Sequence, residues 1–255
     1  MSCDMRVNTL MQCRELLGQG LFAMLLVCST VPIGHADVID TNRPGFSFTP
    51  AVVGEQNWQL ETALTYLRSD LRQWSLPNAE LRYGVGNDVE VFVSGLSWIS
   101  ADLGPSDASG IGDISLGTKI ALGASSEKLK TAVLFLVSAP TGDQEFSSDS
   151  WDPSLGFVWS FNGSVPLAGT ARITDRDGGI GFDNGLKLPV QLNERQTVFV
   201  EWEANIPASG SSTHWLNSGF QWLLSDDVQV DFAIDLSLTE FGDDYRFGVG
   251  FSTRY

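Results

Sequence analysis

The chain has 255 residues, 15 Lys+Arg against 31 Asp+Glu, and a formal net charge of −16. That sign excludes a nucleic-acid binder working through a basic surface, and a charged fraction of only 18% excludes a solvated acidic tail. Glycine is frequent, at 26 residues, but follows no G-X-Y period, and three cysteines are too few to staple a chain of this length.

From the N-terminus, Leu21 to Ile33 is an uninterrupted apolar run, too short to remain as a membrane-spanning helix. Gly34-His35-Ala36 follows it and supplies the small residues of a cleavage site. Residues 1–36 therefore read as a secretory signal peptide. Its removal takes away Cys3, Cys13 and Cys28, two bases and two acids, so the mature charge stays at −16. His214 is then the one histidine left, and paired-histidine metal chemistry is not expected. No cofactor is called for.

Residues 37–56 form a leader with Arg43-Pro44-Gly45 and the aromatic pair Phe46 and Phe48. Two arrangements suit it: an internal plug, with Arg43 meeting acidic side chains, or a disordered periplasmic leader. From residue 57 onward the dominant pattern is alternation of apolar and polar residues, the period of a strand with two unlike faces. It predicts twelve strands: 57–67, 72–86, 88–100, 111–123, 129–140, 152–163, 167–174, 180–191, 197–206, 214–225, 228–239 and 245–255. The clearest is 228–238, where Val228, Val230, Phe232, Ile234, Leu236 and Leu238 share one face and Gln229, Asp231 and Asp235 the other. Segment 129–140 is apolar on both faces and fits either register. Pro77 and Gly95 mark expected bulges that switch faces within their strands. Trp98 reaches the apolar face only if Gly95 does so.

The connections alternate. Those after the even strands are short, such as Gly86-Asn87 and Asp226-Asp227, whereas Ala101 to Gly110 and Thr141 to Trp151 are long and acidic. Most strands run past the roughly 9–11 residues that a tilted strand needs to cross hydrocarbon. All four tyrosines (Tyr66, Tyr83, Tyr245, Tyr255), together with Trp58, Trp74, Trp98, Trp151, Trp215 and Trp222, fall at strand ends, the level of a headgroup girdle. The expected fold class is all-β: a closed antiparallel transmembrane β-barrel of about 12 strands over residues 57–255. A soluble sandwich would alternate too, but its strands are shorter.

Several stretches resemble a family of Gram-negative outer-membrane proteins labelled putative MetA-pathway of phenol degradation. Thr41-Asn42-Arg43-Pro44-Gly45 is similar to its N-terminal T-D-R-P motif, with Asn42 in place of the usual aspartate. Leu81-Arg82-Tyr83-Gly84-Val85 with Val89-Glu90-Val91 resembles its second hairpin. Gly110-Ile111-Gly112-Asp113-Ile114-Ser115-Leu116-Gly117-Thr118-Lys119 resembles its G-x-G-D-x-x-L-G-x-K strand, and Ser138-Ala139-Pro140-Thr141-Gly142 its P-T-G loop entry. The resemblance implies an outer-membrane location and passive transport of small molecules, apolar or aromatic by the family label.

On the polar faces, Glu61, Glu80, Arg82, Glu90, Asp113, Lys119, Asp183, Lys187, Glu201, Glu203, Asp231, Asp235 and Arg246 are the expected pore-lining residues. Their acidic surplus gives either a lumen with a negative field or a paired network that fills a small barrel. Phe251 and Tyr255 end the last strand in the pattern that resembles the outer-membrane assembly signal. Expected partners are outer-membrane lipid and lipopolysaccharide, the assembly machinery and small-molecule solutes, and no nucleic acid. A barrel with structural or adhesive external loops is the second reading. A hydrolase is the third, since His214 lies near Ser209, Ser211 and Ser212 but without a nucleophile motif.

Overall fold

The computed structural model describes residues 38–102, 107–124, 128–176, 178–240 and 243–255. The expected signal peptide lies outside the described residues. The strands are β1 (Trp58–Arg68), β2 (Arg72–Gly86), β3 (Val89–Asp102), β4 (Asp107–Ile111), β5 (Ile114–Ala124), β6 (Leu129–Ala139), β7 (Asp152–Phe161), β8 (Leu167–Arg176), β9 (Gly179–Asn193), β10 (Gln196–Ile206), β11 (Thr213–Ser225), β12 (Val228–Ser237) and β13 (Tyr245–Arg254). Every neighbouring pair is antiparallel, and β1 pairs with both β2 and β13, so the sheet closes on itself. β4 and β5 are two pieces of one crossing, which makes a closed barrel of twelve strands. Closure leaves no unpaired edge to face lipid, where an unmet backbone group costs several kcal/mol.

The side chains are inside out relative to a soluble protein. Phe135, Phe157, Leu116, Val200, Phe232 and Val249 are exposed on the outer wall, while Glu61, Arg82, Glu90, Lys119 and Glu201 are buried within it. Alternation along each strand produces this directly, because successive side chains point to opposite faces. Two aromatic levels bound the wall. Trp58 packs on Tyr83 at one end and Tyr66 on Trp74 at the other, each pair at 4.5 Å. Trp215 departs from the expected girdle. It is buried, facing inward, and the Arg246 guanidinium lies 4.2 Å above its ring.

Three adjacent strands exchange faces at one level. In β2 the outward residues are Trp74 and Leu76 before Pro77-Asn78 and Val85 after it. The β2–β3 register shifts between Leu76 and Ala79. In β3 the outward set passes from Val91 to Trp98 across Gly95, whose φ of 79° suits glycine. The expected bulges at Pro77 and Gly95 are both present. The continuous strand expected over 111–123 is not. It breaks at Gly112-Asp113, where the partner of β3 passes from β5 to β4. The outward set changes there too, from Ile111 to Leu116. A face switch in β3 alone would set apolar residues beside polar ones on the next strand, so the neighbour must switch with it.

Candidate functional site

Residues 38–57 run inside the barrel. Ile39, Thr41, Asn42, Ser47 and Val53 are buried. Near its ends the leader meets backbone, with Ile39 N–H donating to Asp226 and Gln56 N–H to Gly84. Between those points the backbone donors that are bonded go to side chains, mostly of the wall. Asn42 and Arg43 N–H donate to the two oxygens of Glu61, at 3.2 and 3.1 Å. Phe46 and Ser47 N–H donate to the Glu201 carboxylate at 2.9 and 2.8 Å. Phe48 N–H donates to Thr170 Oγ1 at 2.9 Å and Val53 N–H to Glu90 Oε2 at 2.8 Å. Two glycines make room for this path. A Cβ on Gly84 would lie 2.1 Å from the Gly54 carbonyl, and one on Gly185 would lie 2.4 Å from Ser47 Oγ.

The charges organise into groups, each joining the leader to several strands. In the inner half, Arg82 is fully buried and spends its whole fork. Nε and Nη2 donate to Glu90, Nη1 to Glu61 and the Asp40 carbonyl, and Nη2 also to the Ala51 carbonyl. Lys119 Nζ reaches Glu90 at 3.0 Å and donates to Asn42 Oδ1 at 3.3 Å. Asn42 Nδ2 donates to Glu80 at 2.6 Å. On the opposite wall, Lys187 Nζ donates to the Pro44 carbonyl at 3.0 Å and lies 3.7 Å from Glu201. Arg43 pairs with Asp231 at 3.3 Å, and its carbonyl accepts from Gln221 Nε2. In the outer half, Arg246 bridges Glu203 at 2.8 Å and Asp235 at 3.0 Å, while Arg172 pairs with Asp183 at 2.9 Å.

Of the two arrangements the expected lumen charges allowed, pairing describes the inner half. Arg82, Glu90 and Lys119 are fully buried and paired, so their charges largely offset one another. Apolar packing adds a further hold on the leader: Phe48 packs against Phe92 in a tilted pair with ring centroids 6.2 Å apart, and Phe92 clusters with Ala132, Leu134 and Val158.

Several participants were not among the expected residues. Arg172 is one. Gln59, Gln221, Gln229 and Thr170 are uncharged, and a scan of charges alone passes over them. Their signal was position, on the polar parity of strands already recognised.

Asp113 stands apart from the lumen network. It sits at the β4/β5 break and accepts from Thr141 and Gly142 N–H through one oxygen, and from Ser148 N–H and Oγ through the other. It pins the connection between β6 and β7. Without those four bonds the loop loses its anchor. Asp113→Ala should therefore be cleaved by protease in this loop faster than the intact chain; equal cleavage rates for the two proteins would refute the anchor.

His214 stacks on Trp202, with centroids 5.7 Å apart and planes within 13°. Phe251 pairs with Thr62 across the closing seam, and Tyr255 exchanges backbone hydrogen bonds with Trp58. Cavities lie on both sides of the leader. The outer one, of about 380 Å³, has Arg43, Pro44, Gly45 and Phe46 as one wall and Asn217, Glu203, Asp235 and Arg246 as another. The inner one, of about 250 Å³, is bounded by Asp40, Ser47, Phe48, Lys130 and Lys187 among others.

A sequence-family model matches residues 41–255, from the first residue of the leader's Thr41-Asn42-Arg43-Pro44 run to the last of the barrel. The chain belongs to the family described as "Putative MetA-pathway of phenol degradation". No curated protein matches this family member. Among solved structures it is similar to the COG4313 outer membrane channel from Pseudomonas putida F1, with 12% identity and a TM-score of 0.58 over 89% of this chain and 100% of that one. The NanC porin shares 11% identity and a TM-score of 0.54, over 76% of this chain and 98% of the porin. The KdgM porin, in complex with disordered oligogalacturonate, shares 9% and 0.50, over 77% and 98%. At these identities the likeness establishes the fold: this family member has the architecture of outer-membrane channels.

Proposed function

We propose that the chain is a channel of the bacterial outer membrane that admits small solutes by passive diffusion, with residues 38–56 as the plug that sets its aperture. The observation that carries this reading is the way the leader is held. It divides two cavities, and the bonded backbone donors from Asn42 to Val53 go to side chains and not to a sheet. A strap held by rotatable side chains shifts by exchanging partners one at a time, whereas a paired strand must break a ladder. The lumen residues assigned above then act in two groups. Those of the inner half position the plug, and Glu203, Asp235 and Arg246 line the route.

The apolar wall supports a place in lipid, with lipopolysaccharide around the outer girdle. Phe251 and Tyr255 on the closing strand would serve recognition by the assembly machinery. The family label points to apolar or aromatic cargo. The negative surplus disfavours anionic solutes.

Liposome swelling tests the reading. Vesicles carrying the protein should swell with neutral solutes of a few carbons and progressively less with larger ones, since paired side chains and plug occupy much of the lumen. Absence of swelling with every solute would leave a barrel whose role lies in its external loops.

A further inference from the structure

We infer that the outer cavity is a recognition site for a protonated amine carried on a small apolar or aromatic body. This rests on the channel reading above and names the solute class that the same lumen takes.

The first observation is a charge imbalance fixed by geometry. Arg246 is the guanidinium shared by Glu203 and Asp235, at 2.8 and 3.0 Å, and it is held over the Trp215 ring at 4.2 Å. It cannot swing away to serve another group without losing both bonds and the ring. One cation thus faces two anions. The other cation on this cavity, Arg43, is committed to Asp231 at 3.3 Å.

The second observation is independent of charge. Asn217 lines the cavity and is only 3% exposed, yet its Oδ1 accepts no hydrogen bond. It lies directly across the β11–β12 ladder from Asp235, whose Oδ1 is likewise buried and without a partner. Residues opposite one another on a ladder have Cβ atoms about 5 Å apart. The Asn217 side chain is a hydrogen-bond partner of the Asp235 carboxylate, which leaves one oxygen of each residue without a donor at the wall of the cavity. A buried acceptor without a donor is unfavourable, so a donor from outside relieves it on arrival. A primary ammonium carries three N–H donors and no acceptor, and a donor borne on a cation bonds an acceptor more strongly than a neutral one. Phe46 of the plug lies on the same cavity and offers an apolar surface to the remainder of the solute. The cavity, at about 380 Å³, is of the size that holds a small molecule.

Isothermal titration calorimetry on the whole protein in detergent micelles tests this with three probes of one shape: 2-phenylethylamine, 2-phenylethanol and phenylacetate. The amine should bind at least about tenfold more tightly than either other probe, the measure of one hydrogen bond to a charged group. Asp235→Asn should erase the preference. Asn217→Asp, which keeps the side-chain volume and adds a charge, should increase it; heat-modifiable migration on gels checks that both variants are folded. Equal affinity for all three probes overturns the inference. So does a preference for phenylacetate, which would assign the cavity to the unpartnered Nε–H of Arg43. Flux of the same probes into liposomes separates this site from the channel. Selective amine binding without flux of any probe keeps the site and removes the channel, while equal binding with flux of all three removes the site and keeps the channel.

Discussion

Deletion of residues 38–53 should raise single-channel conductance several-fold above that of the intact chain and remove most of its discrimination by solute size. The ladders of the barrel do not use these residues. The β1–β13 seam and every other strand pair form from Trp58 onward. What the deletion removes is the material between the two cavities, together with the backbone donors that Glu61, Glu90 and Glu201 receive. Water entering the emptied lumen can replace those donors, so the wall should survive while the aperture opens. Glu201→Ala in the intact chain tests the same point more gently. It frees the Phe46 and Ser47 N–H groups and should give a smaller rise in mean current with more frequent open–closed transitions. Conductance unchanged by the deletion would show that the leader does not govern the aperture.

Replacing Arg82 should cost more stability than any other single change in the lumen. The guanidinium is fully buried, and its five donor bonds join two wall carboxylates to two carbonyls of the leader. Arg82→Ala leaves Glu61 without its cation and Glu90 with Lys119 alone. Breaking one side of a buried ion pair typically costs about 3–5 kcal/mol, because the surviving charge stays desolvated. Arg82→Lys should recover only part of this, since an ammonium has three donors and no planar fork. Combining Arg82→Met with Glu61→Gln should recover more, as it removes one orphaned charge along with its partner. Urea unfolding in detergent, followed by the loss of heat-modifiable migration, gives the ordering. A cost below about 1 kcal/mol for Arg82→Ala, the range of an exposed pair, would mean that the inner half is wet and the network contributes little.

These two expectations draw on features that were legible to very different degrees. Arg82 and Glu90 stand on the polar face of readable strands, and the Leu81-Arg82-Tyr83 hairpin marks their place. Their meeting with Glu61 and Lys119 was not legible, because the four side chains come from four separate strands. The leader's route was open between two arrangements. The Arg43-Pro44-Gly45 run carries no period that says where it goes. Asp113 matched the polar alternation of 111–123, yet the structure puts it at a break, holding a loop. Nothing in the local sequence distinguishes a carboxylate on a wall from one that receives four hydrogen bonds from a segment about 30 residues further on. Trp215 misled for a related reason: an aromatic at a strand end suits a headgroup level, but its parity here points inward beneath Arg246.

Segment 129–140 shows where the division falls. Both of its faces are apolar, so alternation could not choose between them. In the barrel, Ala132 and Leu134 face inward against Phe92 and Val158, while Phe135 and Val137 face lipid. Neighbouring strands made that choice through register. Elsewhere the alternation determined strand positions and the lipid-facing side, and Pro77 and Gly95 marked the level of the bulges. Those features depend on contact with surroundings that are uniform along the wall, namely hydrocarbon outside and polar groups within. Which charge meets which across the lumen, and whether a leader threads between them, depends on strand number, stagger and closure, and those exist only once the last strand has paired with the first.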